Sequence, residues 1–303
     1  MKLTAPAYYP AFSCIAGDCR HSCCIGWEID IDEETVPQYR RQTGEIGERM
    51  RACIDFDSEP PHFILQGEEE RCPFLNRRGL CDIILTCGEG ALCQICRDHP
   101  RYRNFFSDVT EIGVGMCCEA AAALILGYEK PLSMIVLSDD GEASAQNDEE
   151  EAYFALRDAL FALLQDRSRS LDARIDDMLF HVGADRCTDI PAWGAFCSQL
   201  EILDPAWKAR LDGVSDKRTD LCGHAGEQLL VYLLMRHLPK ILEGEDPAVI
   251  AAFAVLAYDL IAALFANTDG SFDSLCDIAR MFSSEIEYSE ENLYAIFDEI
   301  ACS

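Results

Sequence analysis

Cysteine is the residue whose spacing carries the most chemistry in this chain. The N-terminal segment reads Cys14-x4-Cys19-x3-Cys23-Cys24-x2-Trp27, placing four thiols within eleven residues. They can converge on one metal centre if the backbone turns, and Gly17 and Gly26 make turning easy. Adjacent Cys23 and Cys24 send their side chains apart, which leaves one of them for a second metal or a second iron of a cluster. A further set follows: Cys72-Pro73-Phe74-Leu75, Gly79-Leu80-Cys81, Leu92-Cys93-x2-Cys96, His99-Pro100-Arg101 and Cys117-Cys118. The Cys93-x2-Cys96 spacing is common to zinc and iron–sulfur ligation, with distant thiols completing the shell.

The chain has 17 cysteines in 303 residues; twelve lie at or before Cys118, and Cys187, Cys197, Cys222, Cys276 and Cys302 follow it. A disulfide framework running through the whole protein would not segregate them so. The opening MKLTAPAYYPAF lacks the apolar stretch of an export signal. The expected compartment is therefore the cytoplasm, where thiols stay reduced and clustered cysteines read as metal ligands. The competing reading of any single cysteine is a buried, inert thiol acting as a small hydrophobe.

Charge narrows the partners. The formal net charge is −29, with 13 Lys+Arg against 21 Asp+Glu through Lys130 and 12 against 33 beyond it. Such a surface repels phosphate backbones, so nucleic acid is not an expected partner, whereas a basic protein segment is attracted. Solubility alone also accounts for the charge. The apolar run Ala248–Ala266 approaches membrane-spanning length, but Asp259 interrupts it and no basic flank orients it. It reads as a buried helix of a bundle, and no membrane association is expected.

The elements that must position the thiols divide into two stretches. The fold class expected is mainly α: an irregular cysteine-rich metal-binding domain with short β-hairpins (residues 1–137), an acidic linker (138–151) and an α-helical bundle (152–303). In the first stretch Glu33–Ala52 reads as one helix starting near Pro37. His62–Gln66, Cys72–Leu75 and Arg78–Ile83 read as short strands, the last two joined by a turn at Arg77-Arg78-Gly79; Leu92–Asp98 and Cys118–Leu126 read as helices. Metal–ligand bonds can replace part of a hydrophobic core in such a domain. Beyond the linker, Leu156, Leu160, Leu163 and Leu164 share a helix face, as do Leu171, Ile175 and Leu179. Asp204-Pro205 and Asp246-Pro247 supply N-caps followed by proline at the first helical position. Leu229–Leu242 and Ala248–Ala266 read as an antiparallel pair, followed by helices near Phe272–Phe282 and Glu290–Ala301.

The ordered blocks FSCIAGDCRHSCCIGWEIDID, CPFL, GLC, LCQICRDHPR and CCEAAAALIL, spanning roughly Tyr8 to Gly127, resemble the flagellin lysine-N-methylase family, part of a wider group with a CxxCxxCC-type zinc- or iron-chelating domain. Carried across by position, the family's cysteines are Cys14, Cys19, Cys23, Cys24, Cys72, Cys81, Cys93, Cys96 and Cys117. Where the family often has Ser-Cys-Pro, this chain has Met116-Cys117-Cys118, and Cys53 and Cys87 are additional. The resemblance implies S-adenosylmethionine as methyl donor, an iron–sulfur cluster of the 4Fe-4S kind with zinc as the alternative, and a lysine of flagellin or another protein as acceptor.

No strand–GxGxG–helix signature of a nucleotide-binding Rossmann unit occurs, and the spacing is not the CxxxCxxC of radical enzymes. Methyl transfer would therefore use an uncommon site. A lysine with a free pKa of ~10.4 must lose its proton and be aligned with the sulfonium before it can attack. Candidate helpers are Tyr8, Tyr9, Asp18 and His21. Trp27 is a candidate to pack on adenine or a cation, against ordinary core packing. Arg101 is a candidate to pair with a cofactor carboxylate or to offset the charge of a thiolate cluster. His21 and His99 are ligand or hydrogen-bond candidates. The alternative function is a non-enzymatic zinc- or iron-binding or redox protein whose helical half docks a partner.

Overall fold

The computed structural model describes residues 1–141 and 145–302. In chain order the elements are β1 (Lys2–Pro6), α1 (Val36–Arg41), α2 (Gly44–Cys53), β2 (Ile54–Asp55), β3 (His62–Phe63), α3 (Asp82–Cys87), α4 (Gln94–Asp98), β4 (Arg101–Phe105), β5 (Val109–Val114), α5 (Glu119–Leu126) and β6 (Met134–Asp139). Then come α6 (Asp148–Leu164), α7 (Leu171–Val182), α8 (Ile190–Cys197), α9 (Pro205–Leu211), α10 (Ala225–His237), α11 (Pro247–Phe265), α12 (Phe272–Phe282) and α13 (Glu290–Ala301). The fold is mainly α with a few short strands, as expected from the sequence. Its two compact units are Ser13–Tyr102 and, together, Met1–Phe12 with Arg103–Ser303.

The Ser13–Tyr102 unit has little regular structure. Its core is Ile29, Ile31, Tyr39, Met50, Ile54, Phe63, Phe74 and Ile83, with the thiols of Cys72 and Cys93 among them. The single helix expected over Glu33–Ala52 is two, because Gln42 and Thr43 are extended (ψ 141° and 171°). A Cβ on Gly47 would lie 2.2 Å from the Gln42 carbonyl oxygen, so glycine is what lets α2 fold back on that break. The turn expected at Arg77-Arg78-Gly79 is present. The Asn76 side chain accepts the N–H groups of Arg78 (2.9 Å) and Leu80 (3.2 Å), and Gly79 has φ +72°. The strands expected on either side of it reduce to one bridge, Leu75 with Cys81, because α3 starts at Asp82 and takes the chain out of the ladder.

The larger unit joins a four-stranded sheet, ordered β4-β5-β1-β6, to a bundle built on α10 and α11. The sequence reading assigned none of these four strands. β1 pairs parallel with β5, Leu3 opposite Thr110, and antiparallel with β6. The segment expected as a linker, 138–151, is strand to Asp139 and helix from Asp148 in its described parts, while residues 142–144 lie outside the described residues. Asn147 and Glu150 form a reciprocal capping box that starts α6, with four acidic residues in its first turn. The N-caps expected at Asp204 and Asp246 are present, each followed by proline. Helices α12 and α13 run over Phe272–Phe282 and Glu290–Ala301 as read from the sequence.

α11 is long and apolar enough to cross a membrane by composition, yet 94% of its apolar window is buried inside the fold. Asp259 at its middle is fully buried and bidentate to Arg186 (2.7 and 2.8 Å), and Arg218 also pairs with it. The ionic groups thus satisfy each other within an apolar helix packing, which is the condition for burying a carboxylate.

Candidate metal centre

Short backbone links deliver the thiols of the Ser13–Tyr102 unit to its core. The Cys72 N–H donates to the Cys24 carbonyl (2.8 Å), and Ile25 bridges Arg71, so the N-terminal loop lies alongside the segment leading into Cys72. Cys81 is the residue before α3. Its neighbour Asp82 donates its N–H to the Phe74 carbonyl (2.8 Å) and accepts from the Arg49 guanidinium (2.7 Å), while Arg49 also donates to the Pro73 carbonyl. One guanidinium thereby ties α2 to the loops carrying Cys72 and Cys81. Cys93 is the N-cap residue of α4, and Cys96 follows one turn later, the i, i+3 placement that puts two side chains on one helix face.

Two thiol pairs result. Cys24 is pulled down to about 3, chiefly because its thiolate accepts from the thiol of Cys23 and then of Cys72. Cys72 is correspondingly pushed up by its bond to Cys24 and by burial. Cys93 is lowered, first by the Cys96 thiol, against the cost of burial, with the Cys96 N–H and the Tyr39 hydroxyl helping; Cys96 is raised in turn by Cys93 and by burial. Cys24 and Cys72 also raise Cys96, a smaller effect than that of Cys93 or of burial. Cys81 is raised by burial and lies within reach of Cys24. His99 is lowered to about 4 by burial, despite the pull of Cys24, so its imidazole is neutral at pH 7.

Of the nine cysteines carried over by resemblance, Cys23, Cys24, Cys72, Cys81, Cys93 and Cys96 form this connected set. Cys14 is exposed, its sulfur accepting the Ala16 N–H (3.4 Å), and the Cys19 thiol donates to the His21 carbonyl (3.3 Å). Their loop is fastened to the turn before Cys81, because the Gly17 backbone packs against Gly79 so closely that a Cβ on Gly79 would lie 3.2 Å from the Gly17 Cα. Cys117 lies in the larger unit, hydrogen-bonded to Tyr288 near Arg236 and raised by burial to about 12. The additional Cys53 packs at the edge of the thiol-bearing core.

The remaining candidates scatter. Tyr8 is buried in the larger unit, its hydroxyl without a hydrogen-bond partner among the described residues and its ring edge-on to Tyr128 (5.5 Å). Burial holds it well above the usual phenol range, which disfavours the phenolate a base would need. Tyr9 is half-buried in the same unit; Asp18 and His21 are exposed in the smaller one. Trp27 stacks obliquely on His99 (5.8 Å between ring centres) and donates from Nε1 to the Cys23 carbonyl (2.5 Å), so it links the Cys23 loop to His99. Arg101 donates to the Arg97 carbonyl (3.3 Å), and its charge is felt at His99.

Two residues that the sequence reading did not single out organise the site. The Tyr39 hydroxyl accepts the Cys93 N–H (2.9 Å), and Tyr39 is buried with its ring stacked on Phe63. Asp32 accepts the N–H groups of Gln94 (2.7 Å) and Thr35 (2.9 Å), securing the start of α4. The Asp-x2-Thr spacing was an available signal for Asp32; nothing in the sequence links Tyr39 to Cys93, 54 residues away.

The donor set fits a thiophilic centre. Soft thiolates with a neutral imidazole suit zinc or iron–sulfur rather than magnesium or calcium. A different donor group, Glu28, Asp30 and His62, has ligand atoms within 4.8 Å of one another. It is largely exposed and oxygen-rich, the ordinary chemistry of an acidic surface.

Three related proteins accompany this geometry. The chain is 28% identical over 131 residues to the lysine-N-methylases of Salmonella choleraesuis and Salmonella typhimurium, a match covering 42% of this chain and 33% of each relative. It is 26% identical over 131 residues to the flagellar biosynthetic protein FliU of Salmonella muenchen, covering 78% of that protein. The match thus spans a third of the methylases' length. No family model matches the chain, and no solved structure does.

Proposed function

We propose that this chain is a protein-lysine N-methylase whose Ser13–Tyr102 unit holds a thiolate-bound metal centre, iron–sulfur rather than zinc. The observation that carries the metal reading is the pairing of Cys24 with Cys72 and of Cys93 with Cys96 in one thiol-bearing core. The names of the Salmonella relatives support methyl transfer to a protein lysine. The preference for iron–sulfur over zinc follows from the family that the cysteine blocks resemble.

Cys24, Cys72, Cys93 and Cys96 would hold the centre, which when bound supplies Lewis acidity. The chain's own residues do the rest. Trp27 offers an aromatic face to the adenine of S-adenosylmethionine, and Arg101 a guanidinium to its carboxylate. In the transfer, the lysine Nζ lone pair forms the N–C bond. The methyl–sulfur bond breaks with its electron pair left on sulfur, and the amine's extra proton passes to a base. The acceptor must reach that geometry neutral and desolvated.

The test uses anaerobically purified full-length protein, analysed for metal and acid-labile sulfide, then incubated with labelled S-adenosylmethionine and flagellin. Label on flagellin lysines is expected. No transfer to flagellin or to polylysine, with metal and sulfide intact, rejects the methylase reading. The second reading, a metal-binding or redox module without transferase activity, would then stand, since the same thiols serve it equally.

A further inference from the structure

We infer that Tyr39 is a positioning residue for the centre: its hydroxyl holds both the backbone and the sulfur of Cys93, and so limits the negative charge that this sulfur passes to a bound metal. The inference rests on the metal reading of the thiol set and is independent of methyl transfer. A phenyl ring without the hydroxyl would fill the same space, since Tyr39 is 1% exposed and stacks on Phe63 (6.1 Å between ring centres, 23° between planes). A buried hydroxyl costs free energy unless both its accepting and its donating sides are used. The Tyr39 oxygen accepts the Cys93 N–H (2.9 Å) in a buried contact. Its hydrogen goes to the sulfur of the same residue. One side chain on α1 thus closes on two polar groups of a cysteine 54 positions away.

Burial gives that bond its weight. Cys93 is 0% exposed, so donors from the protein rather than water act on its sulfur. They are the Cys96 thiol, the Cys96 N–H and the Tyr39 hydroxyl. Once Cys96 is itself a thiolate ligand its S–H is gone, and the N–H and the hydroxyl remain. The Asp32 carboxylate, whose charge is felt at Cys93, works in the opposite direction. A hydrogen bond to a ligand sulfur draws electron density off it. It therefore favours the more negative, reduced state of an iron–sulfur centre and weakens thiolate donation to any metal.

The test uses full-length protein purified anaerobically with its metal, as the parent, as Tyr39→Phe, with 3-fluorotyrosine at position 39, and as Phe63→Leu. For an iron–sulfur centre the readout is the midpoint potential, from a mediated redox titration followed by electron paramagnetic resonance. Tyr39→Phe is expected to shift the oxidised-to-reduced ratio about tenfold towards oxidised, a potential ~59 mV lower for one electron. The fluorinated ring makes the hydroxyl a stronger donor and is expected to shift the potential upward. Phe63→Leu loosens the ring packing, keeps the hydroxyl, and is expected to leave the potential unchanged. If the purified metal is zinc, the same proteins are loaded with Co²⁺. The sulfur-to-cobalt charge-transfer band should then move to lower energy in Tyr39→Phe and to higher energy with 3-fluorotyrosine.

An unmoved potential or band in Tyr39→Phe at full metal content overturns the inference and leaves the metal reading in place. So does a shift of the same sign in both forms altered at position 39, or an equal shift in Phe63→Leu. Parent protein that binds no metal removes the inference together with the metal reading. If Tyr39→Phe does not retain metal, the fluorotyrosine protein decides: an upward shift upholds the role of the hydroxyl, and an unmoved potential or band rejects it.

Discussion

At Cys93 a tyrosine hydroxyl and a neighbouring thiol meet one sulfur-bearing residue, and the exchange of bonds there illustrates what each residue contributes. The Tyr39 hydroxyl accepts the backbone N–H and helps to lower the Cys93 thiol, after the Cys96 thiol and against burial. Tyr39→Phe strands that N–H in a dry core, so a loss of about 1–3 kcal/mol is expected. Urea unfolding of the metal-free protein checks it, and an unchanged midpoint would contradict the role given to the hydroxyl. Metal content separates ligands from bystanders. Cys93→Ser should lower bound metal and destabilise the smaller unit, because binding free energy is folding free energy in such domains. Cys276→Ser, buried in α12 of the larger unit, should leave metal unchanged. Equal metal loss from both substitutions would dissolve the proposed partition. The Cys93-x2-Cys96 pair was legible because its spacing is local. Tyr39 was not, because a hydrogen bond across 54 residues leaves no mark in composition or periodicity.

Elements were legible where their determinants are local. The caps at Asp204 and Asp246 and the ends of α12 and α13 follow from residues within a turn or two of each boundary. The sheet was not legible, because β1 exists through pairing with β5, Leu3 opposite Thr110, and five residues alone carry no such instruction. The turn at residues 76–81 lies between these cases. Asn76 and Gly79 announce it, yet only the fold shows that Gly79 lies against Gly17. Gly79→Ala places a side chain at φ +72° and a Cβ 3.2 Å from the Gly17 Cα. A loss of about 1–2 kcal/mol is expected from the left-handed backbone alone. It should act on the loop of Cys14 and Cys19 first. Faster amide hydrogen exchange over residues 14–19 than in the parent protein is the readout; exchange confined to residues 76–81 would sink the idea.

At the scale of the whole chain, a formal charge of −29 sets like charge as well as burial against each buried carboxylate. The unit boundary belongs to this scale too. Composition suggested a seam at 138–151, whereas strand pairing returns Met1–Phe12 to the larger unit and leaves Ser13–Tyr102 as a contiguous insertion. Within the larger unit, Glu227 on α10 is 1% exposed and meets Arg167 (2.8 Å) and Arg174 (2.7 Å). Burial would raise its carboxyl, but the bonds from Arg167 and then Arg174 outweigh that and hold it below its ordinary 4.5. A carboxyl depressed on folding contributes stability that is complete above its unfolded value and is lost as pH falls through the folded one. Glu227→Gln should therefore cost about 3–5 kcal/mol at pH 7, because it leaves two guanidinium groups without their anion. The gap between variant and parent should narrow as pH falls below 4.5, where the unfolded chain's carboxyl binds a proton before the folded one does. Thermal unfolding of both proteins between pH 7 and pH 3 reads the difference directly. A gap that stays constant across that range would mean that Glu227 acts through packing rather than charge.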